Sequence, residues 1–411
     1  MKLIYNIAIH LASWSLNVLS LFNSKLKLGV LGRNETFDKL NNTILKTDKT
    51  LWFHCASLGE YEQGLPIFNQ LRTAYPKHKI VLSFFSPSGY EIRKNAPFAD
   101  VVVYLPLDTK ENAKRFINLL NPELTVFVKY EIWPNYLNEV KAKGLKAILI
   151  SAAFRLDQSF FKWYGSQTKK ALFAFDHIFT QNEASKTLLK TIGYTNVTVS
   201  GDTRFDRVLN QLKTDNTLDF INEFKDNTLS VVVGSSWPED DAILVDFINK
   251  YEEIPVKFII APHNIKPKQI DHLKSSLTKK TILFSEKENQ NLNQFEVIII
   301  DTIGLLSKIY SYADIAYVGG AMGTTGLHNI LEPAVFGVPI IIGKNYSKFP
   351  EAFDMIANKG VISVTNNEEL TITLNRFIKD DTYRKTIGNN NFKFVKQNEG
   401  AIDKVIKYLE D

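Results

Sequence analysis

Short apolar runs of three to seven residues, bounded by polar turn residues, recur along most of this chain. Leu51–Cys55, Lys79–Phe85, Val101–Tyr104, Leu124–Val128, Ala147–Ile150, His177–Thr180 and Val197–Val199 form a first set. Leu229–Val233, Lys257–Ala261, Val297–Ile300, Ala316–Val318 and Val338–Ile342 form a second. Runs of this length without strict alternation read as strands buried on both faces. Between them lie segments with apolar residues at helical spacing, such as Glu60 or Tyr61 through Leu71. Strands alternating with helices predict a mostly parallel, doubly wound α/β sheet in each half. The polar stretch Asn210–Asp226 reads as a linker or hinge plus a surface helix. The expected organisation is an N-terminal helix over 1–24, one α/β domain over 25–209, a second over 210–379, and a helical segment over 380–411 that could pack on either domain.

The N-terminal stretch has a different pattern. Residues 3–24 contain no Lys, Arg, Asp or Glu. As a helix they would span about 33 Å, enough for a bilayer core of about 30 Å. Asn6, His10, Ser13, Asn17, Ser20 and Ser24 form one polar stripe, with Ile4, Ile7, Leu11, Trp14, Val18 and Leu21 largely opposite. That amphipathic pattern favours a helix lying in a membrane interface. A single tilted span and a helix packed on the protein's own core are the alternatives. Lys25, Lys27 and Arg33 follow, and are expected to meet anionic headgroups on the cytoplasmic side. No A-x-A-like site follows the apolar run, which argues against a cleaved signal peptide.

Composition narrows the class. The 411 residues are 45% apolar and 23% charged, as in soluble globular proteins. A net charge of +5, with no arginine-rich tract, does not indicate a nucleic-acid binder. The lone Cys55 excludes intrachain disulfides and a cysteine-based zinc site, and reads as a buried small hydrophobe.

Two stretches suggest chemistry. Gly319–Gly343 reads as strand end, glycine loop, helix from Asn329 to Phe336, and next strand. Gly319, Gly320, Gly323 and Gly326 would let backbone N–H groups approach a ligand, and the helix N-terminus would seat a phosphate. Glu332, near the start of that helix, is placed to accept from a ribose diol. The loop lacks the Gly-Lys-Ser/Thr ending of a P-loop and the GxGxxG rhythm of a dinucleotide site, which favours a sugar nucleotide over NAD. An ordinary strand–helix connection is the plain alternative. Two Rossmann-like domains, the second with such a loop, suggest the GT-B glycosyltransferase arrangement, with the domains facing a cleft. The second stretch is Trp52–Glu60. Glu60 follows a strand and a glycine at the start of a helix. It suits a general base, but Ser57-x-x-Glu60 is equally a helix-capping box. Asp240-Asp241 after Pro238-Glu239 reads as the opening of a surface helix, not a metal motif.

Several motifs in consistent order give the chain a family likeness. They are Trp52-x-His54-x-x-Ser57-x-Gly59-Glu60, Ser86-Pro87-Ser88-Gly89, Tyr104-Leu105-Pro106-Leu107-Asp108, Glu131-Ile132-Trp133-Pro134-Asn135, Gly201-Asp202-x-Arg204-Phe205-Asp206, Asp301-Thr302-x-Gly304, Gly319-Gly320, and Gly326-x-His328-Asn329-x-x-Glu332-Pro333. The chain resembles the 3-deoxy-D-manno-octulosonic acid (Kdo) transferases of lipopolysaccharide synthesis. The resemblance implies a GT-B fold and inverting, metal-independent transfer of Kdo from CMP-Kdo to a lipid A precursor. It implies an enzyme without a cofactor, held by its N-terminus at the cytoplasmic face of the inner membrane. It implies that Glu60 is the base. The implied substrate-binding residues are Ser57, Gly59, Ser88, Glu131, Arg204, Pro262, His263, Gly320, Gly326, His328, Asn329 and Glu332.

The chain departs from the family pattern at Lys129, where a glutamate is usual, at His263, where an arginine follows the proline, and at Leu305 in place of a glutamate. Trp237 replaces the histidine of a Ser-Thr-His pattern. Arg204 and Lys129 are the substitute candidates for phosphate or carboxylate recognition, and Arg155 is the candidate substitute for an expected Asn and Arg near Ser151–Arg155. The competing functions are a UDP-sugar epimerase of the same fold and a non-catalytic sugar-nucleotide-binding membrane protein.

Overall fold

A computed structural model describes residues 2–410, and its strands form two seven-stranded sheets. The first comprises β1 (Thr50–Cys55), β2 (Lys79–Phe84), β3 (Val101–Tyr104), β4 (Leu124–Val128), β5 (Lys146–Ala152), β6 (His177–Thr180) and β7 (Val197–Val199). The second comprises β8 (Leu229–Ser236), β9 (Val256–Pro262), β10 (Thr281–Leu283), β11 (Val297–Ile299), β12 (Ile315–Val318), β13 (Ile340–Ile342) and β14 (Val361–Ser363). Every strand pairing is parallel. The sequence pattern misses β10 and β14, three-residue strands that each include a polar residue, Thr281 and Ser363, and so show no unbroken apolar run.

The strand orders are β3-β2-β1-β4-β5-β6-β7 and β10-β11-β9-β8-β12-β13-β14. Each order reverses direction once, between β1 and β4 in the first sheet and between β8 and β12 in the second. Ligands in such sheets bind beyond the carboxyl ends of the strands at that reversal. Glu60 and Glu131 follow β1 and β4; Trp237 and Gly319-Gly320 follow β8 and β12.

Burial on both faces explains the unbroken apolar runs. Every residue of β1 is buried, and Trp52 packs into one core while Leu51, Phe53 and Cys55 pack into the other. Phe53 stacks on Phe68 of the helix Leu58–Ala74, with centroids 4.5 Å apart.

The chain divides into two compact units, Met1–Asp206 with Gly400–Asp411, and Arg207–Glu399. The helix Asp381–Gln397 thus lies in the second unit and Ala401–Glu410 in the first. Asp206 accepts from the N–H groups of Gly400 (2.8 Å) and Ala401 (3.1 Å), and Ile402 and Val405 enter the core of the first sheet.

The N-terminal helix Lys2–Ser20 turns its apolar side outward. Leu11 is 61% and Trp14 67% exposed, and Leu3, Ile4, Ile7, Leu19 and Leu21 are exposed as well. Its polar side holds it to the first unit: Tyr5 donates to Asp108 (2.6 Å), and Asn6 Oδ1 accepts from Asn135 Nδ2 (2.9 Å). This is the reverse of a helix packed on its own core. One expectation here is corrected. Arg33 does not face outward; its guanidinium donates to the carbonyls of Gly29, Phe85 and Leu105 and lies over the Phe85 ring.

Candidate active site

In the first unit, the helix Leu58–Ala74 begins with Ser57 in extended conformation at its N-cap. The Ser57 side chain makes no capping bond. Glu60 instead reaches back, its carboxylate accepting from the Ala56 and Ser57 N–H groups. Only half of the capping box is therefore formed. The Glu60 side chain is buried, at 6% exposure, and its pKa is pushed up to about 8. Burial is the largest cause and the nearby Glu131 charge the next. The two backbone N–H groups and Lys129 oppose the rise without cancelling it. A carboxylate held in place but costly to ionise has the character of a base poised near neutral pH.

Glu131 is fixed through the core. Trp52 Nε1 donates to Ser83 Oγ (2.8 Å), and His54 Nδ1 lies 2.9 Å from the same hydroxyl. Trp133 Nε1 points at both His54 Nε2 (3.0 Å) and Glu131 Oε2 (3.0 Å). His54 Nε2 thus accepts, which leaves the ring proton on Nδ1 facing Ser83. His54, fully buried, braces Trp133 and through it Glu131.

Ser88 sits on the neighbouring turn. Its N–H donates to Ser86 Oγ (3.2 Å), and the Ser86 N–H donates to the Ala56 carbonyl (2.7 Å). Gly59 lies in the first helical turn, and a Cβ there would meet nothing within 4 Å. Lys129 has a left-handed backbone, φ 70°, and its ammonium lies over the Tyr130 ring, as does the Arg155 guanidinium. Both cations lie against the Tyr130 ring, and the Lys129 charge acts on Glu60. Arg204 is engaged differently from the expectation: its Nε and a terminal nitrogen lie 2.9 and 2.8 Å from Asp202 Oδ2. Much of its charge is answered within the protein, and Arg155 is likewise paired, its Nε 3.5 Å from Asp157 Oδ1.

In the second unit, Pro262 ends β9 and His263 follows. Its ring stacks on Trp237 (centroids 4.6 Å, planes 18° apart) and lies 4.5 Å from His328. Trp237 Nε1 donates to His328 Nε2 (3.0 Å), which puts the His328 ring proton on Nδ1. Burial, then the His263 charge, push His328 down to about 4, and burial lowers His263. Both imidazoles are neutral at physiological pH. Where the family pattern has an arginine, His263 supplies a flat surface and no charge.

The glycine loop corrects two expectations. Three of its amides are turned inward. The Gly320 N–H donates to Asp240 Oδ2 (2.8 Å), the Gly326 N–H to the Gly320 carbonyl (3.1 Å), and the His328 N–H to the Gly319 carbonyl (3.2 Å). Gly320 has φ +94°, and a Cβ there would collide with the Gly326 carbonyl, so glycine is required. The following helix is one turn, Leu331–Ala334, not Asn329–Phe336, because the preceding residues are held in the loop by these bonds. Asp240, read as a surface residue, is fully buried. It also accepts from Tyr317 Oη (2.7 Å) and the Trp237 N–H (2.9 Å).

Glu332 is oriented from two sides. Asn329 Nδ2 donates to Oε1 (3.1 Å) and Ser307 Oγ to Oε2 (3.2 Å). Glu332 and Ser307 line a small pocket of about 50 Å³ with Arg207 and Gln211. The structure thus gathers Ser57, Gly59, Glu60, Ser88 and Glu131 at the reversal of the first sheet. It gathers Pro262, His263, Gly320, Gly326, His328, Asn329 and Glu332 around the reversal of the second. Trp237, Asp240 and Ser307 were missed. An acidic residue three positions into a helix after Trp-Pro could have signalled Asp240 as a cap; nothing local signals Ser307, 25 residues before its partner.

A family model described as 3-deoxy-D-manno-octulosonic-acid transferase (kdotransferase) matches residues 31–207. The chain is 27% identical over 397 residues to the 3-deoxy-D-manno-octulosonic acid transferase of Haemophilus influenzae, covering 92% of this chain and 90% of that protein. It is 28% identical over 334 residues to the enzyme of the same name from Aquifex aeolicus, covering 80% and 86%. Among solved structures, UDP-GlcNAc 2-epimerase from Neisseria meningitidis, bound to UDP-GlcNAc, aligns with a TM-score of 0.61 at 15% identity, covering 88% of this chain and 100% of that one. That likeness is one of fold, two Rossmann-like units of the GT-B class. With a base-like carboxylate at one sheet reversal and a loop-and-carboxylate cluster at the other, the chain is a glycosyltransferase, and along most of its length it resembles the Kdo transferases.

Proposed function

We propose that this chain transfers Kdo from CMP-Kdo to a lipid A precursor, with inversion and without a metal, at the cytoplasmic face of the inner membrane. The observation that carries the reading is Glu60, a buried carboxylate beside a like charge, at the position of the family's base. Glu60 takes the proton from the acceptor hydroxyl, whose oxygen bonds to the Kdo anomeric carbon. The bond from that carbon to the CMP phosphate breaks, and CMP leaves with the electron pair. Glu332, held by Asn329 and Ser307, accepts from the ribose diol of the donor. Lys129 faces the anionic groups of the substrates.

The test is transfer from CMP-Kdo, generated in situ, to a lipid A precursor, with CMP and UDP as competitors. Product formation suppressed by CMP is expected. Suppression by UDP alone would remove the CMP-Kdo assignment. A sugar-nucleotide-binding protein without turnover is the second reading, favoured by the inward-turned amides of the glycine loop. CMP binding with no transfer would select it.

The outward apolar side of Lys2–Ser20 supports a membrane interface as its setting. Leu11→Lys with Trp14→Lys is expected to lower vesicle binding about tenfold or more, since each side chain gives up about 1.5–3 kcal/mol of apolar burial. Flotation with lipid vesicles measures this, and unchanged flotation would count against the interface.

Gly59 offers a separate check on the acceptor site. Alanine there meets no neighbour and gains helix propensity, about 1 kcal/mol. Gly59→Ala is expected to melt no lower than wild type while raising the acceptor KM about tenfold, because a substrate would occupy the open space. An unchanged KM would leave Gly59 out of the acceptor site.

A further inference from the structure

The segment after β5, residues 153–165, is neither floppy nor covered. Phe160 is buried and lies edge-on to Phe154 (5.4 Å), and the Phe154 N–H donates to Ser185 Oγ (2.9 Å). Successive turns close it: Gln158 to Arg155, Phe161 to Gln158, Lys162 to Ser159 and Gly165 to Lys162. Gly165 is pressed so close to the Ser159 carbonyl that no side chain would fit. This braced loop presents Trp163, 90% exposed, with Tyr164 edge-on to it at 5.6 Å and Leu156 also exposed. Lys162 lies in the loop and Lys169 and Lys170 follow it in sequence, while its one carboxylate, Asp157, is paired with Arg155 at 3.5 Å.

The strand order locates this tip. β5 is next to β4, and the N-terminal helix is tied to Asp108 beyond β3 and Asn135 beyond β4. All three attachments lie at the carboxyl edge of one sheet. In the order β3-β2-β1-β4-β5, Glu60 follows the strand between them.

We infer that the Leu156–Tyr164 tip is a second membrane contact of the first unit, inserting Trp163, Tyr164 and Leu156 among anionic headgroups that Lys162, Lys169 and Lys170 attract. Its occupant rests on the membrane reading of the N-terminal helix. Indole and phenol rings belong at a water–lipid boundary, and a cationic collar strengthens binding to an anionic surface. Two contacts at the sheet edge that carries Glu60 hold that edge toward the bilayer, where a lipid acceptor presents its sugar.

The lone native cysteine, Cys55, is fully buried, so an introduced cysteine can be labelled selectively. Full-length Trp163→Cys and, separately, Trp14→Cys are labelled with an environment-sensitive fluorophore. Each is mixed with phosphatidylethanolamine–phosphatidylglycerol vesicles containing a spin-labelled lipid. Both probes are expected to shift blue and be quenched, and Lys162→Glu with Lys169→Glu and Lys170→Glu is expected to weaken quenching at 163 about tenfold. Quenching at 14 but not at 163 overturns the inference and leaves the membrane reading intact. Quenching at neither overturns both. A blue shift at 163 that follows protein concentration without vesicles would make the tip a contact between copies of the chain, and would overturn it too.

Discussion

Glu60→Gln is expected to lower transfer about 10²–10⁴-fold with donor binding unchanged, the usual loss when a positioned base goes. Glutamine keeps the shape and can still accept from the Ala56 or Ser57 N–H, so a residue that only capped the helix would leave activity near wild type. The pH dependence carries a sign. The base must be ionised, and burial beside Glu131 has pushed it up to about 8. So kcat/KM rises with pH and levels above about 8. Glu131→Gln removes the second-largest cause and moves the ascending limb to lower pH. Stability runs the other way. Because the folded state binds this proton more tightly than the unfolded chain, stability from Glu60 is present below about pH 4.5 and is lost as pH rises toward 8. Glu60→Gln is therefore expected to melt above wild type at pH 8–9, by at most about 2–4 kcal/mol, and to match it near pH 4. An activity loss with a gain in stability would mark a carboxylate kept for chemistry; equal activity would reduce it to a cap.

Asp240→Ala carries the largest expected cost in stability. It strips the acceptor from three short buried donors, the Gly320 N–H, the Trp237 N–H and the Tyr317 hydroxyl. Each orphaned buried donor costs about 1–3 kcal/mol, giving about 3–5 kcal/mol for the group. For a unit of this size that is a fall in Tm of about 10 °C or more. The glycine loop loses its anchor at the same time, so CMP affinity is expected to drop at least about tenfold. Calorimetry and CMP titration of the same variant separate the two. A protein that melts normally would show that Asp240 does not hold the loop.

Much of this was legible in the residues before any coordinates. The long strands announced themselves because a parallel sheet covered on both faces needs unbroken apolar runs, as in Leu51–Cys55. Glu60 was legible as chemistry through its place after a strand and through the family likeness, though its burial was not. What escaped the sequence was long-range. Asp240 looks like any acidic residue at a helix start until the fold brings Gly320 and Tyr317, about 80 residues on, to its two oxygens. Arg33 looked like a headgroup ligand because charge alone does not say which way a side chain turns. In the glycine loop the spacing showed that the backbone bends, not which of its N–H groups turn inward.

The return of the last helix to the first unit also fixes an order of events during synthesis. The roughly 190 residues between Asp206 and Gly400 take about 10–40 s to translate at common rates. Throughout that interval the Asp206 carboxylate and the apolar seat of Ile402 and Val405 lie open, and they close only once residues 400–405 have left the ribosome tunnel. The first unit is begun first and finished last, and a nascent chain stalled anywhere before Gly400 carries an unsealed core.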